Sequence, residues 1–194
     1  MIDLAAFDRR PIVVAIAGPN GAGKTTFYHT FLASSGLRFV NADVLTAGLA
    51  VDAYQAARLA DELRRAMVAR GESFVFETVF SDPVQDKVAF LEEASQRGYS
   101  TVLCYIGLSD PDQSVARVAM RVSQGGHDVP DTKLRSRFPR SLENLRAAIL
   151  RLPCVLIYDN SDLEHPYRCV AVFENGQAQS LEEPAPDWLR PLLP

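Results

Sequence analysis

Hydrophobic and polar positions along the chain alternate between two rhythms. Ile12-Val13-Val14-Ala15-Ile16-Ala17 is apolar and largely β-branched with no polar side chain, the pattern of a strand buried on both faces of a parallel sheet. Four further strands are predicted: a short one at 38–41 (RFVN), then 73–77 (SFVFE), 101–107 (TVLCYIG) and 153–158 (PCVLIY). Helical spacing fills the intervals. From Thr25 to Leu32 the apolar residues recur at helical intervals, and over 52–70 Ala56, Leu59, Ala60, Leu63, Ala66 and Met67 form one face. The arginines of that second segment (Arg58, Arg64, Arg65, Arg70) are expected on its solvated side. Another helix covers 84–97 and stops at Gly98. Asp110-Pro111 starts the next, with Asp110 suited to the cap and Pro111 to the first turn, and it runs to about Val122 before Gly125-Gly126 breaks it. A basic helical stretch around 133–145 precedes the fifth strand.

Strands alternating with helices predict an α/β fold of three layers, a mostly parallel five-stranded sheet covered by helices on both faces. Residues 167–181 read differently: two short runs flank Asn175-Gly176, a tight-hairpin signal, so a small C-terminal β-hairpin is expected. The tail, EEPAPDWLRPLLP, is proline-rich and expected to pack loosely over the surface. No repeat or linker divides the 194 residues, which predicts a single domain over 1–194 with its core at about 12–160 and the hairpin and tail at 161–194.

Chemistry concentrates first in Gly18-Pro19-Asn20-Gly21-Ala22-Gly23-Lys24-Thr25, a G-x-x-x-x-G-K-T loop followed by Thr26. It joins a strand end to a helix start, the context this motif requires. Glycines let successive backbone N–H groups turn inward around phosphate oxygens, and the helix N-terminus adds partial positive charge. Lys24 can reach the outer phosphates and Thr25 can ligate Mg²⁺, so ATP and Mg²⁺ are the expected cofactors.

Ligands of open parallel sheets lie beyond the carboxyl ends of the strands. Polar groups gather there: Asn41 and Asp43 after the second strand, Glu77 and Thr78 at the third, and Asp159, Asn160 and Ser161 at the fifth. Asp43 suits either a helix cap before Val44-Leu45 or a base that takes a proton from an attacking hydroxyl. Glu77 follows Phe-Val-Phe directly, which argues against full exposure; it can hold a metal-bound water or a substrate hydroxyl. Arg117 and Arg121 share a helix face, and Lys133, Arg135, Arg137 and Arg140 follow the polar loop Ser123 to Pro130. Cations on both sides of a glycine loop suggest a lid over phosphates, with Arg121 the favoured clamp.

The net charge of −4 argues against a nucleic-acid partner. No apolar run reaches the roughly 18 residues of a membrane span, and the N-terminus lacks a signal-peptide plan, so a cytoplasmic location is expected. Cys104, Cys154 and Cys169 are scattered through apolar runs, as small buried residues in a reduced compartment, and His29, His127 and His165 are isolated. Ser123-Gln124-Gly125-Gly126 faintly suggests a transporter-ATPase signature, but a basic helix follows it where such ATPases place a strand ending in Asp-Glu.

The combination of Gly18 to Thr25, Val40-Asn41-Ala42-Asp43, Phe76-Glu77-Thr78, Arg117 to Pro130 and Arg140 to Leu145 resembles the zeta-toxin family of P-loop small-molecule kinases over about 12–160, and within it the compact branch described as predicted ABC-type ATPases. The resemblance implies a phosphotransferase acting on an alcohol group, in the best-studied members the 3′-hydroxyl of the sugar of UDP-N-acetylglucosamine. It implies Asp43 as base, Lys24 as phosphate-binding lysine, Asn41, Glu77 and Thr78 in the substrate region, and Arg121 or Arg117 on the transferred phosphate. It also implies an antitoxin protein as a partner. The family's second phosphate-binding arginine has no clear counterpart: the nearest position falls about His127, with Arg135, Arg137 or Arg140 as substitutes.

Overall fold

The structure is a computed structural model that describes residues 5–41, 53–126 and 128–194. Asp43 and His127 therefore lie outside the described residues. After a short helix α1 (Ala5–Asp8), strand β1 (Ile12–Ala17) runs into the phosphate-loop segment and α2 (Lys24–Phe27), which continues as a π-turn over Tyr28–Leu32. There follow β2 (Arg38–Val40), α3 (Ala53–Ala69), β3 (Phe74–Thr78), α4 (Asp86–Gln96), β4 (Ser100–Gly107), α5 (Pro111–Ser123), α6 (Asp131–Arg151), β5 (Cys154–Asp159), β6 (Arg168–Glu174) and β7 (Gln177–Leu181).

One sheet holds all seven strands in the order β2-β3-β1-β4-β5-β6-β7. The first five are parallel, as expected, and the hairpin extends the same sheet antiparallel to β5. Its turn carries Asn175 at φ 49° and Gly176 at φ 78°, the left-handed pair that a two-residue hairpin loop needs. The all-apolar β1 is central, and each of its six residues is fully buried. Period-two alternation sends Val13, Ala15 and Ala17 to one apolar layer, with Phe74, Phe76 and Leu91, and Ile12, Val14 and Ile16 to the other, with Phe27, Val102 and Ile106. Asp110 caps α5 as predicted, its Oδ1 accepting the Gln113 N–H at 2.8 Å with Pro111 in the first turn. Those accepted hydrogen bonds hold the Asp110 carboxyl below its ordinary pKa.

Three expectations are corrected by the packing. The tail does not lie loosely: Trp188 and Leu189 are buried in the core, and the indole fills space above Gly107, where a Cβ would sit 2.1 Å from the ring. Its Nε1–H donates to Asp159 Oδ1 at 3.2 Å. Arg64 is not on a solvated face. The buried stripe of α3 runs Ala56, Ala60, Arg64, Met67, while Leu59 and Ala66 are exposed. Cys169 is exposed; only Cys104 and Cys154 are buried.

Candidate functional site

The carboxyl ends of β1, β3 and β5 converge on the phosphate loop. Gly18 (φ +142°) passes so close to β4 that a Cβ would sit 2.2 Å from the Ile106 carbonyl oxygen, and Gly21 (φ +75°) lies against Arg117 Cβ and the Ser114 carbonyl. Ser114 Oγ donates to the Asn20 carbonyl at 2.7 Å, and Asn20 Oδ1 is buried without a partner. Gly23 (φ +86°) is the N-cap of α2, and its carbonyl accepts the Phe27 N–H at 2.8 Å. Lys24 is buried, with Nζ donating to the Pro19 carbonyl at 3.0 Å and lying 3.9 Å from Glu77 Oε1.

Glu77 is the hub. Its Oε2 accepts from Thr25 Oγ1 at 2.8 Å and from Asn41 Nδ2 at 3.1 Å, and its side chain is only 13% exposed, as the preceding Phe-Val-Phe implied. Two cavities meet at this residue. The first, about 490 Å³, is walled by Gly21, Gly23, Lys24, Thr25, Thr26, Arg117 and Arg121, with Met120, Leu163 and Pro166 as an apolar rim. The second, about 560 Å³, is lined by Asn41, Thr78, Asp61, Asp82 and four cations, Arg64, Lys87, Arg137 and Arg140. Thr78 Oγ1 is engaged in its own turn, accepting the Phe80 N–H at 3.1 Å.

The basic residues flanking the glycine loop divide between these cavities. Arg117 and Arg121 face the first. Arg117 Nη2 donates to the carbonyls of Asn160 (2.6 Å) and Ser161 (3.1 Å), so this guanidinium also ties down the loop after β5; burial lowers its pKa. Arg135 reaches neither cavity and pairs with Asp112 at 2.5 Å, joining α6 to α5. Arg137 and Arg140 line the second cavity, not the first. Arg64, missed from sequence, stacks its guanidinium 4.8 Å from the Phe76 ring centroid and pairs with Asp61. Burial lowers its pKa, and the Asp61 carboxylate opposes that. The sequence carried a signal for it: position 64 lies four residues after Ala60 on the buried stripe, and the small Ala56 and Ala60 leave room for a long side chain.

Thr25 and Glu77 offer a hydroxyl and a carboxylate oxygen beside the lysine, the hard-oxygen donor chemistry that suits Mg²⁺. Among the described residues no cluster of three His, Cys, Asp or Glu side chains forms a separate metal site, and no helix is long and apolar enough to cross a membrane.

Comparison with known proteins agrees with this architecture. No curated protein matches the chain. Among solved structures, a chain of the AvrRxo1-ORF1:-ORF2 complex crystallised with ATP superposes with a TM-score of 0.72 at 18% identity, covering 95% of this chain and 66% of that one. This chain thus spans just under two thirds of that protein's length. A chain of the PezAT chromosomal toxin-antitoxin system of Streptococcus pneumoniae matches with a TM-score of 0.59 at 15% identity, covering 84% and 72%. A putative kinase from Chloroflexus aurantiacus gives 0.57 at 19% identity, covering 81% and 89%. At such identities these likenesses speak for the fold alone, an α/β P-loop fold. The family model described as AAA domain (AAA_33) matches residues 13–143, from the first strand through the phosphate loop to the middle of α6, and the chain belongs to that family of P-loop proteins.

Proposed function

We propose that the protein is an ATP-dependent small-molecule kinase of the zeta-toxin type, moving the γ-phosphate of ATP to a hydroxyl, with the sugar 3′-hydroxyl of UDP-N-acetylglucosamine as the first acceptor to test. The observation that carries this reading is the meeting of two cavities at Glu77, one on the phosphate loop and one beside it. A nucleotide site alone needs one cleft; a transferase needs a second that opens onto the terminal phosphate.

In this reading the amides of Gly21 to Thr25 hold the β- and γ-phosphates, and Lys24 exchanges the Pro19 carbonyl for a phosphate oxygen. The base rests against Met120, Leu163 and Pro166. Thr25, with Glu77 behind it, would hold Mg²⁺, which supplies charge neutralisation across the β- and γ-phosphates when bound. Arg121 offsets charge on the moving phosphoryl group from the wall of the first cavity. Asp43, two residues beyond Asn41, accepts the acceptor's hydroxyl proton; the hydroxyl oxygen then bonds phosphorus as the bond to the ADP leaving group breaks.

The second cavity adds a charge argument. Its Arg140 is committed to the Ser136 carbonyl and, among the described residues, Arg137 pairs with no carboxylate, whereas Lys87 and Arg64 are paired with Asp61. Arginines without carboxylate partners on a polar wall suit an acceptor that carries an anionic group, as a sugar nucleotide does. The toxin-antitoxin setting of the PezAT neighbour motivates a search for a protein that covers the nucleotide cleft.

The test is transfer of label from γ-labelled ATP to UDP-N-acetylglucosamine and to a panel of other nucleotides and hydroxylated metabolites, with wild type and Asp43→Asn. We expect transfer by wild type to at least one acceptor, and retained ATP binding without transfer by the variant. Transfer by Asp43→Asn at the wild-type rate refutes the base. ATP binding without transfer to any acceptor leaves a nucleotide-dependent switch and refutes the kinase.

A further inference from the structure

The loop joining β5 to β6 lends Leu163 and Pro166 to the rim of the first cavity, and two further residues that border that cavity, Asn160 and Tyr167, have no role in the chemistry above yet grip the phosphate loop. Asn160, 4% exposed, donates from Nδ2 to the Ala22 carbonyl at 2.9 Å, and its Oδ1 accepts the Tyr167 N–H at 3.2 Å. The Tyr167 hydroxyl donates to the next carbonyl, that of Gly23, at 2.9 Å. Tyr167 holds a left-handed φ of 56°, and its ring stands edge-on to Phe27 and Phe31. The fit is mutual: a Cβ on Gly23 would lie 2.6 Å from the Tyr167 hydroxyl and 2.9 Å from Asn160 Nδ2.

Peptide planarity turns these two hydrogen bonds into an orientation. In a trans peptide the carbonyl of one residue and the N–H of the next point in opposite directions. Fixing the Ala22 carbonyl toward Asn160 therefore aims the Gly23 N–H away from it, and fixing the Gly23 carbonyl aims the Lys24 N–H likewise. The Gly23 carbonyl is also held by the first bond of α2, so Asn160 makes the grip that the helix does not duplicate.

The loop is itself anchored at its other end. The buried Asp159 accepts from Ser161 N–H (3.1 Å) and Oγ (2.5 Å) and from the Trp188 indole on Oδ1, and from Arg168 on Oδ2 at 3.2 Å. The Ser161 carbonyl in turn accepts from Gln113 at 2.7 Å. The C-terminal hairpin and tail are thereby connected, through Trp188, Arg168 and Tyr167, to two peptide units of the nucleotide site.

We propose that the segment from Asp159 to Tyr167 is a brace for the phosphate loop, with Asn160 and Tyr167 as positioning residues that keep the Gly23 and Lys24 amides turned toward phosphate, and with the C-terminal tail as its anchor. The proposal rests on the reading of the loop as a nucleotide site. The test is calorimetric titration of wild type, Tyr167→Phe and Asn160→Ala with MgATP and, separately, with Mg-tripolyphosphate, which has the phosphates and no base. Tyr167→Phe keeps the ring among Phe27 and Phe31 and removes one hydroxyl, so it remains informative if Asn160→Ala fails to fold. Each variant should weaken both ligands about two- to tenfold, the worth of the one hydrogen bond it removes from the phosphate loop itself, and by the same factor for the two. Wild-type affinity of Tyr167→Phe for both ligands, with only a lowered unfolding temperature, overturns the brace. A loss confined to ATP also overturns it, by making Tyr167 a contact to the base. Wild type that binds neither ligand refutes the nucleotide site itself, a failure seen before any variant is compared.

Discussion

Replacing Glu77 by Gln tests the hub at which both cavities meet. The substitution keeps the shape and one acceptor oxygen but removes the charge. Hydrogen bonds to a charged group contribute about 1.5–3 kcal/mol and neutral ones about 0.5–1.5 kcal/mol, so the bonds from Thr25 and Asn41 together lose roughly 2–3 kcal/mol. Lys24, 3.9 Å away and buried, loses in addition an attraction of about 4 kcal/mol before desolvation is counted, at an effective dielectric of about 20. That second loss falls on the free protein, because bound phosphates replace the carboxylate as partner of Lys24. Two opposite effects on binding follow. ATP without metal should bind as well as or better than to wild type, since a carboxylate no longer repels it. MgATP should bind about tenfold more weakly, since the charged oxygen behind Thr25 that favours the cation is gone. The assay is calorimetric titration of ATP in Mg²⁺ and in chelator, with urea unfolding of the free protein alongside. The expected result is at least a tenfold fall in the ratio of the two affinities, with the stability of the free protein reduced by at least about 2–3 kcal/mol, the loss from the two hydrogen bonds alone. An unchanged ratio would refute the metal role and leave Glu77 as a structural tie between Thr25 and Asn41.

Trp188→Ala should cost about 3–5 kcal/mol in urea unfolding, because it empties the space above Gly107 and removes a donor from Asp159; a loss below about 1 kcal/mol would mean that the tail packs loosely after all. Arg137→Ala should raise KM for an anionic acceptor about tenfold while leaving ATP affinity within about twofold, whereas Arg121→Ala should lower kcat, a division read directly from steady-state kinetics. A thiol reagent at pH 8 should label one cysteine in the native protein and three in denaturant: Cys169 is exposed, Cys154 is buried with its pKa pushed up to about 11, and burial pushes Cys104 higher still. Three rapidly labelled thiols in the native protein would contradict the packing of β4 and β5.

The parts of the site that could be read from sequence are those whose geometry is local. Eight consecutive residues from Gly18 to Thr25 contain both the turn and the helix start, and the apolar run before them fixes the strand that presents them. Glu77 was legible for the same reason, since Phe74-Val75-Phe76 is buried and the chain must emerge at the strand end. Arg64 was hidden by an averaging habit. A helix face is judged by its hydrophobic residues, and a guanidinium on that face counts against it until the aromatic beneath it, Phe76, is known from another strand. The tail failed more deeply. Pro-rich composition describes the segment's own preferences, whereas its burial depends on Gly107, some eighty positions earlier, having no side chain where the indole must lie. Tyr167 carries no local signal at all, because the group it holds is a backbone carbonyl of Gly23, and carbonyls are invisible in a sequence.

The division of the arginines between the two cavities argues for how these are coupled. Arg117 and Arg121 belong to α5 and Arg137 and Arg140 to α6, and the exposed Arg135–Asp112 pair ties the start of one helix to the first turns of the other. A movement that draws Arg121 toward a phosphate therefore shifts the helix against which α6 is held, and with it the cations of the second cavity. An exposed pair of this kind contributes up to about 1 kcal/mol and loses strength in salt, so it guides such a movement without locking it. The fixed reference for such a movement would be the phosphate loop, clasped between the Ile106 backbone on one side and Asn160 and Tyr167 on the other. If that assignment of fixed and moving parts is right, Arg135→Ala should alter the dependence of acceptor KM on ATP concentration and leave ATP affinity in the absence of acceptor unchanged. Equal KM values at low and saturating ATP in both proteins would show instead that the two cavities fill independently.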